Sequence, residues 1–141
     1  MRFMVIVKAS KDSEADVLPS AELLAEMGRF NEEMAKAGVM LAGEGLHASS
    51  KGARIKFSGS QRTVTNGPFP ETNQLVAGFW LIKTKSKEEA MEWMSRAPFK
   101  DGEIEIRRVF EAEDFGAALS PEVKATEERT RREIAAQVNA S

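Results

Sequence analysis

Apolar residues recur at every second position in four stretches of the chain, a period that predicts β-strands. Residues 2–8 and 75–84 are largely apolar at both alternating sets of positions, which is typical of strands covered on two faces. Residues 39–48 contain two glycines, and residues 103–111 alternate between apolar and charged side chains. We therefore predict a sheet of four strands with residues 2–8 at its centre.

A period of three to four residues predicts three helices. The first begins near Ser20 and stops at Gly38, and its apolar stripe is formed by Leu23, Met27, Phe30 and Met34. The second begins with a capping box at Ser86 and ends before Pro98. The third, residues 121–138, carries so few apolar residues that it either frays or packs on another subunit.

The middle of the chain has the pattern of a β-hairpin. Residues 53–59 and 61–65 are two short runs that meet at a glycine. Ile55 and Phe57 are predicted to face inward. Arg54 lies on the opposite face, either as a solvated charge that discourages edge pairing or as a ligand for an anion.

A proline-bracketed loop, residues 66–71, connects this hairpin to the most apolar run of the chain. Pro68 and Pro70 fix their own φ angles and bias the residues before them toward extended geometry, so the loop should be rigid. Phe69 is held between them and is predicted to be a packing anchor. Rigid loops beside core strands often carry function.

The order of these elements is strand, helix, strand, hairpin, strand, helix, strand. This order predicts an α+β fold, ferredoxin-like with an inserted β-hairpin. The polar residues 11–17 are predicted to be a loop, residues 1–116 to be the globular domain, and residues 117–141 a helical extension. Only two full helices are available to cover a sheet whose strands are apolar on both faces, so we predict a homodimer.

Composition narrows the classes of function. The 141 residues suffice for one core, and 30% of them are charged with a net charge of only −2, so no nucleic-acid partner is expected. The absence of cysteine from the sequence excludes disulfides and thiolate chemistry. No stretch resembles a signal peptide or a membrane span, and a cytoplasmic location is expected. No cofactor is predicted.

Two charged residues interrupt otherwise apolar strand faces. Glu44 lies among apolar neighbours, where a carboxylate needs a partner, although an edge strand would let it reach solvent. Arg108 interrupts the last strand in the same way, and we predict that the two form a pair at the floor of a pocket. His47, the only histidine, is placed at the pocket rim as a proton-transfer group. A metal site at His47 is the less favoured alternative, because a Glu-x-x-His spacing diverges on a strand.

Several segments resemble a known family. NGPFPET (66–72), followed by AGFWLI (77–82), resembles the signature of the DGPF group of the YCII-related proteins. AGVMLAGEGLH (37–47) resembles the helix-to-strand passage of that family, and EIEIRRVFEAEDFG (103–116) resembles its closing strand. The resemblance implies a dimeric α/β barrel with a cavity in each protomer.

The chain also departs from the pattern of that family. Asn66 stands where the DGPF signature has Asp, and Asn73 and Gln74 stand where it has Lys and Glu. Better-known members pair a histidine of the first helix with an aspartate after the second. The first helix here has no histidine and the second ends at Arg96-Ala97-Pro98, so that pair does not carry over.

Two hypotheses of function follow. In the first, the protein binds a small anionic organic molecule and performs cofactor-free acid/base chemistry. The catalytic residues are Glu44, His47 and Arg108, and the ligand-binding residues are Arg54, Asn66, Phe69 and Glu71. In the second, which the resemblance suggests, it is a non-catalytic dimeric interaction module linked to transcription through sigma-factor-like proteins.

Overall fold

A computed structural model describes residues 1–140 of the chain. The chain divides into two compact units, Met1–Val109 and the residues from Phe110 onward. The predicted domain limit at residue 116 stays a prediction, and the last residue of the predicted extension, 141, lies outside the described residues. The first unit contains all the strands.

The first unit alternates strands and helices in the predicted order. Its elements are β1 (Arg2–Lys8), α1 (Lys11–Glu14), α2 (Ala21–Lys36), β2 (Met40–Gly45), β3 (Ala53–Ser58), β4 (Gln61–Asn66), β5 (Val76–Lys83), α3 (Lys87–Met94) and β6 (Ile104–Arg108). Four strands form an antiparallel sheet in the order β2-β5-β1-β6, and β3 pairs with β4 in a separate hairpin. This is the ferredoxin-like strand order with an inserted hairpin, so the predicted α+β class is confirmed.

One face of the sheet forms the core. Register pairs Val5 with Trp80 and Phe3 with Ile82, so these side chains point to the same side. They pack against both long helices of the first unit through Phe30, Met34, Ala90 and Met94. Each helix has the polar cap that its sequence predicts, since the Ser20 and Ser86 hydroxyls accept hydrogen bonds from the third helical residue.

The other face of the sheet lies outside this core. It carries Met4, Ile6, Phe79 and Leu81, which alternate with the core residues along β1 and β5. Met4 is 37% exposed, whereas its neighbours Phe3 and Val5 are buried. The first unit therefore covers only one face of a sheet whose central strands are apolar on both.

The structure corrects two local predictions. Residues 11–17 are not simply a loop, because Ser10 caps the single turn of α1 through a complete capping box with Ser13. Ile55 and Phe57 do not face inward in this chain, since they are 56% and 67% exposed. The hairpin lies outside the main sheet, so no other part of the sheet covers these two side chains, and all residues of β3 and β4 are exposed.

The second unit consists of a short helical stretch and one long helix. Phe110 and Phe115 stack with ring centroids 5.0 Å apart. The helix α4 (Pro121–Ala140) begins after Ser120, whose hydroxyl accepts a hydrogen bond from the amide of Val123. None of the residues of α4 is buried. Among the described residues, no helix is long and apolar enough to cross a membrane.

Candidate functional site

The proline-bracketed loop packs against the turn that follows β2. A Cβ atom added to Gly67 would lie 1.8 Å from the carbonyl oxygen of Ser49, so only glycine fits at this position. The Gly67 amide also donates to the carbonyl of Gly52 at 2.9 Å. The glycine of the family-like signature therefore serves close backbone packing between the loop and the turn.

Side chains of the same loop hold one another in place. The Arg54 guanidinium lies 3.9 Å from the centre of the Phe69 ring and bonds Glu71 at 3.1 Å. The hydrogen bond from Arg54 lowers the pKa of Glu71 below its ordinary value. Phe69 is half-buried beneath the cation, and Asn66 is exposed at the end of β4. Three of the four predicted ligand-binding residues thus form one cluster.

A second network joins this loop to α1. The Glu14 carboxylate accepts hydrogen bonds from the amide and the hydroxyl of Ser49. The Ser49 hydroxyl in turn accepts from the Phe69 amide at 3.0 Å. The Ser49 hydroxyl, followed by its amide, lowers the pKa of Glu14. Glu14 and Ser49 carry no recognisable motif, so the sequence did not reveal them.

These contacts border a cavity of about 360 Å³ that is open to solvent, which we call the smaller cavity. Its charged and polar lining residues are Glu14, His47, Ser49, Lys51 and Arg54, and Phe69 forms part of its wall. Lys51 Nζ lies 3.5 Å from His47 Nδ1. Since Ser49 donates two hydrogen bonds to Glu14, cationic groups dominate the remaining lining.

A cavity of about 750 Å³, the larger cavity, lies beside the core of the first unit. Apolar residues of the helices, the sheet and the segment after α3 line it, namely Val7, Met27, Trp80, Met94, Ala97, Phe99 and Ile104. Its charged residues are Lys8, Asp16, Glu44, Lys100, Asp101 and Glu103. Residues 46–48, including His47, line both cavities and form their shared wall.

Trp80 is the best-fixed part of the larger cavity. Its indole nitrogen donates to Asn31 Oδ1 at 2.9 Å, and its ring meets Phe30 and Phe99 edge to face. A Cβ atom on Gly43 would lie 2.7 Å from the Trp80 ring, so the glycine of β2 makes room for it. The wall is therefore rigid and aromatic, as a preformed ligand site requires.

The predicted pair of Glu44 and Arg108 is wrong. Strands β2 and β6 are the opposite edges of the sheet, separated by β5 and β1, which amounts to about three strand spacings or 14 Å. Register places Glu44 on the face of Phe79, whereas Arg108 pairs with Phe3 on the face that carries the core. The predicted pair would require both strands to lie directly beside β1, but β5 occupies one of those places.

Of the three predicted catalytic residues, only Glu44 and His47 come together. Both line the larger cavity, and both are exposed at its edge. The larger cavity is also lined by Asp16, Asn31 and Lys100, which the sequence did not reveal. They lie in α2 and in two loops, where no periodic pattern distinguishes a cavity-facing residue from a solvated one.

The part of the chain that the structure describes contains no candidate metal site. No three side chains among its His, Asp and Glu residues are close enough to hold an ion. His47 instead lies beside Lys51, whose ammonium group would oppose a bound cation.

The fold and cavities define an α+β protein with a ferredoxin-like sheet and a helix-side cavity. Residues 1–113 match the YCII-related domain, and the chain belongs to the YCII-related family. A search of the curated proteins found no match.

Among solved structures, the chain is similar to 5-chloro-2-hydroxyhydroquinone dehydrochlorinase from Burkholderia phenoliruptrix AC1100 in complex with 2,5-dihydroxybenzoquinone. The two are 14% identical, the alignment covers 81% of this chain and 98% of that chain, and the TM-score is 0.46. This similarity is too low to transfer a property of that protein.

Proposed function

We propose that this protein binds a small organic molecule in the larger cavity. The observation that carries the proposal is a cavity of about 750 Å³ walled by a buried tryptophan whose polar atom is already satisfied by Asn31. Ligand sites in proteins have volumes of roughly 300 to 1,000 Å³ and combine an apolar wall with a few polar groups. The Met27, Met94 and Phe99 side chains complete the apolar wall.

The charge of the ligand follows from the lining of each cavity. The anionic ligand predicted from the sequence suits the smaller cavity, where Lys51 and Arg54 outnumber Glu14. The larger cavity has the opposite balance, because its lining contains more carboxylates than lysines. We therefore assign the small organic ligand to the larger cavity, and this ligand need not be an anion.

Proton transfer is the chemistry that the polar groups could perform. An imidazole ring can both donate and accept a proton, and His47 belongs to the wall shared by the two cavities. Glu44 lies three residues earlier on the edge of the larger cavity. We propose His47 as the proton-transfer group and Glu44 as a second polar contact, in cofactor-free chemistry.

Tryptophan fluorescence tests the binding proposal, since the chain has one tryptophan in the cavity wall and one outside it. Trp93 packs under Arg96, with 4.0 Å from guanidinium to ring, and does not line the cavity. A panel of small aromatic and alicyclic compounds should quench the emission of Trp93→Phe, which retains Trp80. The same compounds should leave the emission of Trp80→Phe unchanged. Quenching of the emission of Trp80→Phe, which retains Trp93, would contradict the assignment to the larger cavity.

We also propose that the protein is a homodimer with the barrel arrangement. The support is the uncovered face of the sheet, on which Met4 and Leu81 lie side by side by register. Light scattering should give a mass of twice 15.5 kDa at micromolar concentration. Leu81→Glu should give a folded monomer or aggregate, whereas an unchanged mass for both proteins would count against this face as the interface.

Membership of the DGPF group remains a prediction, which rests on residues 66–72. The alternative function, an interaction module linked to transcription, gains no support from the comparisons. It would become the better account if no compound of the panel changed the emission of Trp80.

A further inference from the structure

The residue that follows the cap of α1 is an aspartate in a backbone conformation that is uncommon for residues other than glycine. The amide of Val17 donates to the carbonyl of Asp12 at 2.9 Å, and the amide of Asp16 faces the carbonyl of Ser13 at 3.4 Å. These two contacts form a Schellman motif, in which the residue after the helix cap takes the left-handed conformation. Here that residue is Asp16, with a φ of 61°, and among residues 1–140 no other non-glycine residue has a positive φ.

The end of α2 forms the same motif, but with a glycine in the left-handed position. There Val39 donates to Met34 and Gly38 donates to Ala35, with a φ of 73° at Gly38. Glycine takes this conformation without steric cost, whereas the Cβ atom of an aspartate comes close to the following carbonyl oxygen and makes the conformation less favourable. The negative charge of Asp16 also lies at a helix C-terminus, where the helix dipole disfavours it. Aspartate is among the few other residues that take this conformation, but the turn itself would be served at lower steric cost by a glycine.

The two positions differ in what lies beside them. Asp16 lines the larger cavity, and Gly38 lines neither cavity. The Asp16 carboxylate makes no hydrogen bond or ion pair with the described residues. Residues whose backbone is held in a sparsely populated conformation cluster at active sites and ligand sites.

We propose that Asp16 is a specificity-determining residue of the larger cavity and that its carboxylate receives a positively charged N–H donor of the ligand. This inference rests on the proposed function, and it names the class of ligand as an organic ammonium ion with an apolar body. The Trp80 ring offers an aromatic wall that favours such a cation. Of the two lysines that line the cavity, Lys8 is already paired with Glu105 at 3.2 Å.

The test compares two probes of similar shape and opposite charge, benzylamine and benzoate, by ligand-observed NMR titration of the full chain at pH 7. Benzylamine should bind the unmodified protein about tenfold more tightly than benzoate, since a charge-assisted hydrogen bond contributes roughly this factor. Asp16→Asn keeps a residue that tolerates the left-handed conformation and should reduce the affinity for benzylamine about tenfold. Asp12→Asn, in the helix that precedes Asp16 and outside both cavities, is the matched control and should change neither affinity.

The outcomes separate this inference from the function on which it rests. If benzoate binds as tightly as benzylamine, or if Asp16→Asn behaves like Asp12→Asn, the inference is overturned while small-molecule binding stands. If neither probe binds and no compound of the wider panel changes Trp80 emission, the proposed function fails and the inference fails with it. Circular dichroism of both variants shows whether the fold is retained.

Discussion

The two cavities belong to regions that are stabilised in different ways. The larger cavity lies beside the core, where Ile82 and Trp80 of β5 pack under two helices. The smaller cavity lies between the turn at Ser49 and the proline-bracketed loop, where a close backbone approach and a few polar contacts hold the chain. The region of the larger cavity is stabilised by apolar burial, and the region of the smaller cavity is stabilised by a few specific contacts.

This difference predicts how each region responds to substitution. In the core, the loss should scale with the apolar volume removed, because many atoms share the packing. In the loop, one added methyl group can be as harmful as a large deletion in the core, while a large exposed side chain matters little. The following substitutions test this contrast, from the largest expected effect to the smallest.

Ile82→Ala should have the largest effect. Ile82 is fully buried in the core cluster, which also contains residues of β1 and of both helices. Its truncation should lower the free energy of unfolding by about 4 kcal/mol, the sum of lost burial and of the cavity left behind. Urea unfolding measures this, and Ile82→Val should lose only about 1 kcal/mol. Equal losses for the two variants would show that the site relaxes and is not tightly packed.

Gly67→Ala should cost about 2 to 3 kcal/mol, although it adds only one methyl group. The added Cβ would lie 1.8 Å from the Ser49 carbonyl oxygen, so the loop must move. Gly52→Ala is the matched control, because its Cβ would lie at an ordinary 3.5 Å from the same oxygen. If both variants unfold at the same urea concentration, the close approach of the loop does not stabilise this region.

These two positions also show what the sequence could predict. The periods of two and of three to four residues are local, so the six strands and the helices α2, α3 and α4 followed from the sequence, whereas the single turn of α1 did not. The pairing of Glu44 with Arg108 depended on which strands lie side by side, and that order is a property of the whole sheet. The role of Gly67 required knowing that Ser49 passes within contact distance, which no sequence spacing reveals.

Phe69→Ala should cost about 1 to 2 kcal/mol, less than the roughly 3 kcal/mol expected of a fully buried ring. The ring is half-buried and has the Arg54 guanidinium 3.9 Å from its centre. Phe69→Leu should recover the apolar part of the loss but not the contact with the cation. Urea unfolding distinguishes them, and a loss of about 3 kcal/mol or more for Phe69→Ala would mean that the ring is a core residue.

The network of Glu14 and Ser49 should appear as a dependence on pH. The Ser49 hydroxyl lowers the pKa of Glu14 in the folded protein, so the ionised form favours folding. This contribution is fully present above the ordinary glutamate pKa of about 4.3 and is lost as the pH falls through the lowered value. Ser49→Ala should raise the Glu14 pKa toward its ordinary value in an NMR titration. Ser50→Ala, which alters the exposed neighbour, should not move it.

Phe57→Ser should have the smallest effect in the isolated chain, within about 0.5 kcal/mol, because Phe57 is 67% exposed on the hairpin. Ile55 and Val64 lie on the same face of the hairpin and are also more than half exposed. A second copy of the chain that covered this face would change the result. The loss on Phe57→Ser would then exceed about 1 kcal/mol and grow with protein concentration, whereas Lys56→Ser on the opposite face would stay neutral.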